Sequence, residues 1–194
     1  MNPQLPAHSV SELVALAKAR PGQLNYASSG SGAAAHLAAE LFKAMTQIDM
    51  VHIPYKGAQP ALADVLSGEA HVMFATAASV LPFIAAGRVR ALGVTASQRM
   101  ASLPKLPTLA EAGVPGFDAI TWHGVVVPTA TPPAIVERLN RTINSALRTP
   151  ELRERLTALG AEIAGGSSGD FADYIAREIP KWTKIVRDSG ARAD

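Results

Sequence analysis

Short apolar runs alternate with amphipathic patterns along the first half of the chain. The runs predict strands at residues 24–27, 50–55, 71–75 and 89–95. Patterns of period 3.6 predict helices at residues 9–19, 33–45, 60–68 and 79–87. Strict alternation of strand and helix favours βαβ units, a mainly parallel sheet and helices on both of its faces.

The predicted helix boundaries carry recognisable signals. Ser9 and Glu12 form a capping-box pattern at the start of the first helix, and Pro21-Gly22 ends that helix. Gly68 and Gly87 follow two later helical patterns, where glycine favours termination.

The second half of the chain has a different pattern. Residues 103–117 are rich in proline and predict an ordered loop or hinge, and the apolar run 120–128 predicts a strand. Thr131 and Pro132 predict a helix start, with Thr131 as the cap and Pro132 at the first helical position. Further helices are predicted at 151–159 and 170–188, with a short strand at 161–164. Three amphipathic helices with two strands leave this half short of packing partners.

Composition excludes several classes of protein. The 194 residues are 48% apolar and 18% charged, which is typical of a folded domain or two small lobes. The formal net charge is +2 with 5% aromatic residues, so we expect no nucleic-acid partner. The chain has no cysteine, which removes disulfides and thiolate chemistry. The sequence as given begins without a signal-peptide pattern and has no apolar stretch long enough for a membrane span.

A small-residue turn stands out between the first strand and the second helix. Gly30-Ser-Gly32-Ala-Ala-Ala35 matches G-x-G-x-x-A, the dinucleotide fingerprint, after a strand and before a helix. The fingerprint also needs an acidic residue at the end of the next strand, and Asp49 instead precedes that strand. Anion capture by free N–H groups at the helix N-terminus is a broader interpretation. A plain strand-to-helix turn with a serine cap remains an alternative.

Other strand ends add candidates for the same site. Pro54-Tyr55-Lys56-Gly57 follows the second predicted strand, and Ala75-Thr76-Ala77 follows the third. Because ligands of open α/β sheets bind at the carboxyl ends of strands, these segments favour a shared site. A core-edge tyrosine and a solvated lysine are the simpler interpretations of Tyr55 and Lys56.

Metal and catalytic motifs are weak. His36 and Glu40 share a helix face, while His52 and His71 lie on adjacent predicted strands, but H-E-x-x-H is absent. The sequence has no G-x-S-x-G elbow and no phosphate-binding P-loop. We therefore expect no metal, no cofactor and no enzymatic activity.

Chained motifs resemble one family along essentially the whole chain. The matching segments are YASSGSGAAAHLAAELF, HIPYKGAQPALADVLSGEAHVMF, LPFIAAGRVRALGVTASQR, LPTLAEAGVPGF, WHGVVVPTATPP and FADYIAREIPKWTKIVRDSG. They resemble the tripartite tricarboxylate transporter substrate-binding proteins, also called the TctC-like or Bug family.

The resemblance implies a fold, a location and a function. Family members are periplasmic receptors with a two-lobed, type II periplasmic-binding-protein fold, and they deliver small carboxylates to membrane permease subunits. The implied ligand-binding residues are Ser28, Ser29, Gly30, Ser31, Gly32, Ala33, His36, Tyr55, Lys56, Gly57, Thr76 and Ala77. The resemblance does not identify the carboxylate.

Two departures from the family pattern shape the expectation. The family's signal peptide and first-lobe ligand loop have no counterpart in the sequence as given. We therefore expect residues 1–122 to form a complete second lobe and 123–194 a partial first lobe. Ala33 stands where the family commonly has serine or threonine, so one hydroxyl donor is missing.

Three hypotheses follow from the sequence. The leading one is a carboxylate-binding receptor, or a truncated form of one, with weak or no binding by the isolated monomer. A dinucleotide-dependent enzyme using the Gly30–Ala35 loop is the second. The third is an assembly module whose exposed first-lobe faces form a homodimer or bind another chain.

Overall fold

The computed structural model describes residues 1–192 and divides into two compact units. Unit 1 comprises Met1–Thr121 together with the residues from Ile185 on, and unit 2 comprises Trp122–Lys184. The division falls one residue from the boundary predicted between 122 and 123. The assignment of the two parts as lobes stays a prediction.

Unit 1 follows the predicted order of helix and strand. Its elements are α1 (Val10–Ala19), β1 (Asn25–Ser28), α2 (Ala34–Thr46), β2 (Val51–Pro54), α3 (Ala58–Ser67), β3 (Val72–Met73) and α4 (Ala77–Ala85). The strands form a parallel sheet in the order β2-β1-β3, with Tyr26 opposite His52 on one side and Val72 on the other. The predicted α/β fold with a parallel sheet is therefore confirmed.

Helices cover both faces of this sheet. The hydroxyl of Tyr26 donates to Glu40 on α2, whereas the next residue, Ala27, packs with Leu62 and Val65 of α3. Because neighbouring side chains of a strand point to opposite faces, α2 and α3 lie on opposite sides. Tyr26 and Ala27 are fully buried.

The fourth predicted strand, 89–95, is wrong. Only Val94 makes a β-bridge, to Thr108. The N–H of Val94 donates to the carbonyl of Pro107, and Ala119 donates to Thr95. Pro107 and Thr108 belong to the proline-rich loop, Ala119 follows that loop, and proline has no N–H to extend a ladder. The apolar residues of 89–95 pack on this ordered loop, as Val94 and Leu109 are both buried.

Unit 2 contains α5 (Pro133–Leu147), α6 (Pro150–Ala158) and α7 (Ser168–Ser189) up to Lys184. The predicted strands 120–128 and 161–164 are wrong, since within residues 1–192 neither segment pairs with another strand. A strand needs a partner for its backbone groups, and apolar sequence alone does not provide one. The predicted start of α5 is also displaced by one residue, with Pro132 as the cap and Pro133 at the first position.

Candidate functional site

Three loops meet at one edge of the unit 1 sheet. Because β1, β2 and β3 are parallel, their carboxyl ends share this edge, and each strand leads into the next helix. Backbone bonds join the first two loops: Tyr55 N–H donates to Ser28 at 3.0 Å, and Gly57 N–H donates to Ser29 at 3.2 Å. We call this edge, with the loops 28–33, 55–57 and 76–77, the carboxyl-edge site.

The helices that begin at the carboxyl-edge site have no side-chain caps. The N-cap residues of α2, α3 and α4 are Ala33, Gly57 and Thr76, and none of them bonds the helix N–H groups through a side chain. Thr76 instead directs its hydroxyl to Ser79. Three helix N-termini therefore present backbone donors and partial positive charge at the same edge, which suits an anion.

The first helix of unit 1 differs from these three. The N–H of Glu12 donates to Ser9 Oγ at 3.1 Å, and the N–H of His8 donates to Glu12 Oε2 at 2.7 Å. Ser9 is therefore the side-chain N-cap of α1, as the sequence predicts, while the Glu12 carboxylate accepts from His8, the residue before the cap, rather than from Ser9 as in a strict capping box. In unit 1, the uncapped ends of α2, α3 and α4 therefore coincide with the site.

The serines of the first loop have two different environments. Ser28 is fully buried, and its hydroxyl lies 2.6 Å from His52 Nε2 and 3.0 Å from the Gly30 carbonyl. Ser29 and Ser31 are half-buried, and their hydroxyls have no hydrogen-bond partner within residues 1–192. The Ser28 side chain therefore shapes the loop, while Ser29 and Ser31 have hydroxyls available for a ligand.

Both glycines of the first loop have positive φ angles. Gly30 has φ 142° and Gly32 has φ 72°, which favour glycine at these positions. The N–H of Gly32 donates to His36 Nδ1 at 3.0 Å. That donor is therefore used internally, and the N-terminal N–H groups of α2 remain for an anion.

His36 belongs to a stack of three rings beneath the first loop. Its ring lies 3.8 Å from that of His52, which lies 4.9 Å from that of Tyr26. Burial lowers the pKa of His36, while Glu40 opposes this shift and Lys43 adds to it. Burial and the hydrogen bond to Glu40 raise the pKa of Tyr26. Both shifts favour the neutral forms of His36 and Tyr26, and the stacked rings support the loop from inside the unit.

The remaining predicted site residues lie in the other two loops. The Tyr55 hydroxyl donates to Asp64 Oδ2 at 2.6 Å, and burial followed by this bond raises the pKa of Tyr55 to about 12. Lys56 is exposed in the β2–α3 turn. Thr76 is exposed and Ala77 half-buried at the start of α4. The structure thus brings all three predicted segments to one edge, and their ligand contacts stay predictions.

Two residues behind this edge were missed as site residues. His52 holds Ser28, and Asp64 holds Tyr55. The sequence offered His52 only as a metal candidate. Its position opposite Tyr26 in adjacent parallel strands, on the same face as α2, is the signal that indicates a supporting role.

The alternative chemistries receive no support from this geometry. Within residues 1–192, no three His, Cys, Asp or Glu side chains cluster as metal ligands. His36, His52 and His71 accept or share hydrogen bonds with Gly32, Ser28 and Asn25. β2 ends at Pro54, so no acidic residue stands where a dinucleotide ribose would bind.

A cavity of about 470 Å³ lies at the opposite end of α2. Lys43 and Gln47 from α2 contribute to its lining, together with Lys18, Asp49 and Asp188. The charges have both signs, and the carboxyl end of a helix disfavours an anion. This cavity is therefore a poor candidate for an anion site.

Fold and site together define a class of α/β ligand-binding proteins. The family model described as Tripartite tricarboxylate transporter family receptor (TctC) matches residues 1–191. The chain belongs to this family.

Three similar proteins illustrate the relationship. The chain is 39% identical to BugT of Bordetella pertussis over 191 residues, which cover 98% of this chain and 59% of BugT. The structure of R. palustris Rpa4515 with adipate has a TM-score of 0.87 at 38% identity and covers 98% of this chain. MatC of Rhodopseudomonas palustris with bound malate has a TM-score of 0.80 at 30% identity, covering 94% of this chain and 63% of MatC.

The chain spans only part of the length of these proteins, with 59% of BugT and 64% of Rpa4515. The predicted periplasmic-binding-protein fold is confirmed, since another similar structure is a periplasmic binding protein, BugD. These descriptions are of receptors and binding proteins, which confirms the expectation of a binding protein rather than an enzyme. Within residues 1–192, no helix combines the length and apolar character that a membrane crossing needs.

Proposed function

We propose that this chain binds a small organic carboxylate at the carboxyl-edge site, as part of a periplasmic receptor. The receptor delivers the carboxylate to the membrane permease subunits of a tripartite tricarboxylate-type transporter. The observation that carries this proposal is the meeting of three uncapped helix N-termini at one edge of the sheet. Similar structures with adipate and malate support a carboxylate as the anion.

The donors suit a carboxylate without a charged partner. The N-termini of α2 and α4 offer backbone N–H groups, and Ser29 and Ser31 offer hydroxyls beside the first of them. Lys56 adds positive charge at the rim because its side chain is exposed. Each helix N-terminus contributes about 0.3–1 kcal/mol toward an anion at low ionic strength.

Binding by the chain alone is expected to be weak. Similar proteins extend well beyond the part that this chain matches. We propose that closure of two lobes about the segment 120–128 completes the ligand contacts in the whole receptor. Tight binding of a dicarboxylate by the 194-residue monomer, at low micromolar dissociation constant, would contradict this half-cleft proposal.

The first test measures thermal stability and heat of binding with adipate, malate and the neutral diamide of adipate. A carboxylate at about 100 times its dissociation constant adds about 2.7 kcal/mol to the free energy of unfolding. We expect a shift with a carboxylate and none with the diamide. The same shift with the diamide would contradict an anion site.

The substitution Ala33→Asp locates the site. Ala33 already has the extended conformation of an N-cap, with φ −66° and ψ 157°. An aspartate there would bond the free N–H groups of α2 and repel an anion. We expect Ala33→Asp to abolish carboxylate binding, while Ala130→Asp in an exposed loop of unit 2 leaves it unchanged. Equal loss in both variants would point to general charge repulsion.

A homodimer is a second proposal, favoured by exposed apolar residues of unit 2. Val125 and Val126 are 68% and 76% exposed, and Ile135 and Leu139 are also exposed. Such a patch favours association with another surface. We expect concentration-dependent self-association in light scattering, weakened by Val126→Asp but not by Thr129→Asp. A monomer at high concentration would exclude the dimer.

A further inference from the structure

We propose that His36 is a positioning residue that holds the first loop in its ligand-ready conformation only while its imidazole is neutral. This inference rests on the proposed carboxylate site and adds a pH dependence to it. His36 acts through Gly32 and the start of α2.

The geometry requires an unprotonated Nδ1 atom. The N–H of Gly32 donates to His36 Nδ1 at 3.0 Å. A protonated Nδ1 carries its own hydrogen, so two donors would then face each other. Gly32 has φ 72°, and the bond to His36 holds this left-handed turn immediately before Ala33, the N-cap of α2. Losing the bond therefore frees the part of the loop that aims the α2 N–H groups.

The surroundings of His36 disfavour its charged form. The side chain is 7% exposed and stacks on His52 of β2 at 3.8 Å. Ser28 and Tyr26 of β1 lie on the same side, with Ser28 bonded to His52 and Tyr26 donating to Glu40.

The charged groups near His36 lie on its own helix and oppose each other. Glu40 favours the imidazolium, whereas Lys43 disfavours it and also pairs with Glu40 at 2.8 Å. Burial is the largest influence and lowers the pKa of His36 below its usual value of 6.5. Protonation of His36, which releases the loop, therefore occurs below pH 6.5.

Nuclear magnetic resonance tests the inference on the unmodified 194-residue chain without any ligand. We expect an unprotonated Nδ1 on His36 at pH 7.5. On acidification, the amide resonance of Gly32 should move with the same midpoint as the His36 ring, below pH 6.5. A protonated Nδ1 at pH 7.5, or a Gly32 amide that does not follow the His36 titration, would overturn the inference.

Two variants distinguish the role of His36 as a hydrogen-bond acceptor from the role of its ring in packing against His52. Asparagine in His36→Asn offers an acceptor oxygen near the Nδ1 position but does not titrate, whereas His36→Phe keeps a ring against His52 and offers no acceptor. We expect the Gly32 amide to lose its pH dependence in both variants. In His36→Phe, its resonance at pH 7.5 should already resemble that of the acidified wild type. His123→Asn, at an exposed histidine of unit 2, is the control for loss of any histidine.

The affinity for adipate, measured at several pH values, tests whether the protonation of His36 affects the carboxyl-edge site. Between pH 7.5 and 5.5 we expect affinity to fall several-fold, up to about tenfold, for loss of one hydrogen bond that orders the loop. Comparison with His36→Asn at each pH cancels the protonation of adipate itself. An equal pH dependence in His36→Asn would overturn the inference. If adipate and malate bind at no pH while Gly32 follows His36, the proposed function fails and the positioning role of His36 stands.

Discussion

Behind the carboxyl edge, two tyrosine hydroxyls donate hydrogen bonds to carboxylates of unit 1. Tyr26 and Glu40 form one such pair on the α2 side of the sheet, and Tyr55 and Asp64 form another between β2 and α3. The first tyrosine is fully buried, whereas the second is half-buried. A lost hydrogen bond costs more when it is buried. We therefore expect the Tyr26 hydroxyl to contribute more to the free energy of unfolding than the Tyr55 hydroxyl.

Removal of each hydroxyl tests this difference. Tyr26→Phe leaves Glu40, whose side chain is 11% exposed, without its phenolic donor, and we expect a loss of about 1–3 kcal/mol in the free energy of unfolding. Tyr55→Phe leaves Asp64 near solvent, with an expected loss of about 0.5–1.5 kcal/mol. Urea unfolding of both variants at pH 7.5 measures the difference. A larger loss in Tyr55→Phe would show that Asp64 depends more on its phenol than Glu40 does.

His36 also predicts how stability depends on pH. Its pKa is lowered in the folded protein, so at acid pH the unfolded chain binds a proton that the folded chain does not. The stability that neutral His36 provides is complete above pH 6.5 and is lost as pH falls below 6.5 through the folded pKa. The free energy of unfolding of the wild type should therefore fall more between pH 7 and 5 than that of His36→Asn. Parallel pH profiles would contradict the lowered pKa.

At the scale of elements, sequence patterns predict those structures whose hydrogen bonds are local. Helices α1, α2 and α7 begin within about two residues of their predicted starts because their periodicity and boundary residues act along the chain. The predicted strands at 89–95 and 120–128 fail because a strand depends on a partner remote in sequence. Gly93 shows the alternative for 89–95: a Cβ there would lie 2.9 Å from Leu109, so the loop packs against bare backbone.

The candidate site shows the same division. The Ser-Gly turn and the strand ends were predictable because parallel βαβ units bring carboxyl ends together. The sequence did not predict that Ser28 shapes the loop while Ser29 has an available hydroxyl, because only the fold places Ser28 against His52. Nor did the sequence indicate that His36 would accept a bond from Gly32, because loop curvature decides that contact.

The side-chain cap of α1 gives a prediction at the element scale. Ser9→Ala removes the oxygen that accepts the Glu12 N–H, and we expect a loss of about 1 kcal/mol in the free energy of unfolding. Ser11→Ala is the matched control, because Ser11 bonds only the Ser9 hydroxyl. It should cost a few tenths of a kcal/mol at most. Similar losses in the two variants would argue against a role for Ser9 as the cap.

At the scale of the whole molecule, the two units bury very different amounts of apolar surface. Unit 1 has a core around Tyr26, Phe42 and Phe117, and its parallel sheet has helices on both faces. Within the described residues of unit 2, no side chain falls in the buried class. The ring of Phe171 packs on the backbone of Gly124, where a Cβ would lie 2.1 Å from it, but both Val125 and Val126 face solvent.

This contrast predicts unequal protection from hydrogen exchange. Burial of apolar contacts sets the free energy of local opening, so amides of β1 and α2 should exchange with the global unfolding of unit 1. Amides of α5 and α6 should exchange at least about tenfold faster, which corresponds to about 1.4 kcal/mol less opening free energy. Mass spectrometry of peptides over time, at low protein concentration, measures both sets. Equal protection would mean that unit 2 gains its stability from an apolar partner surface, and dilution would then lower that protection selectively.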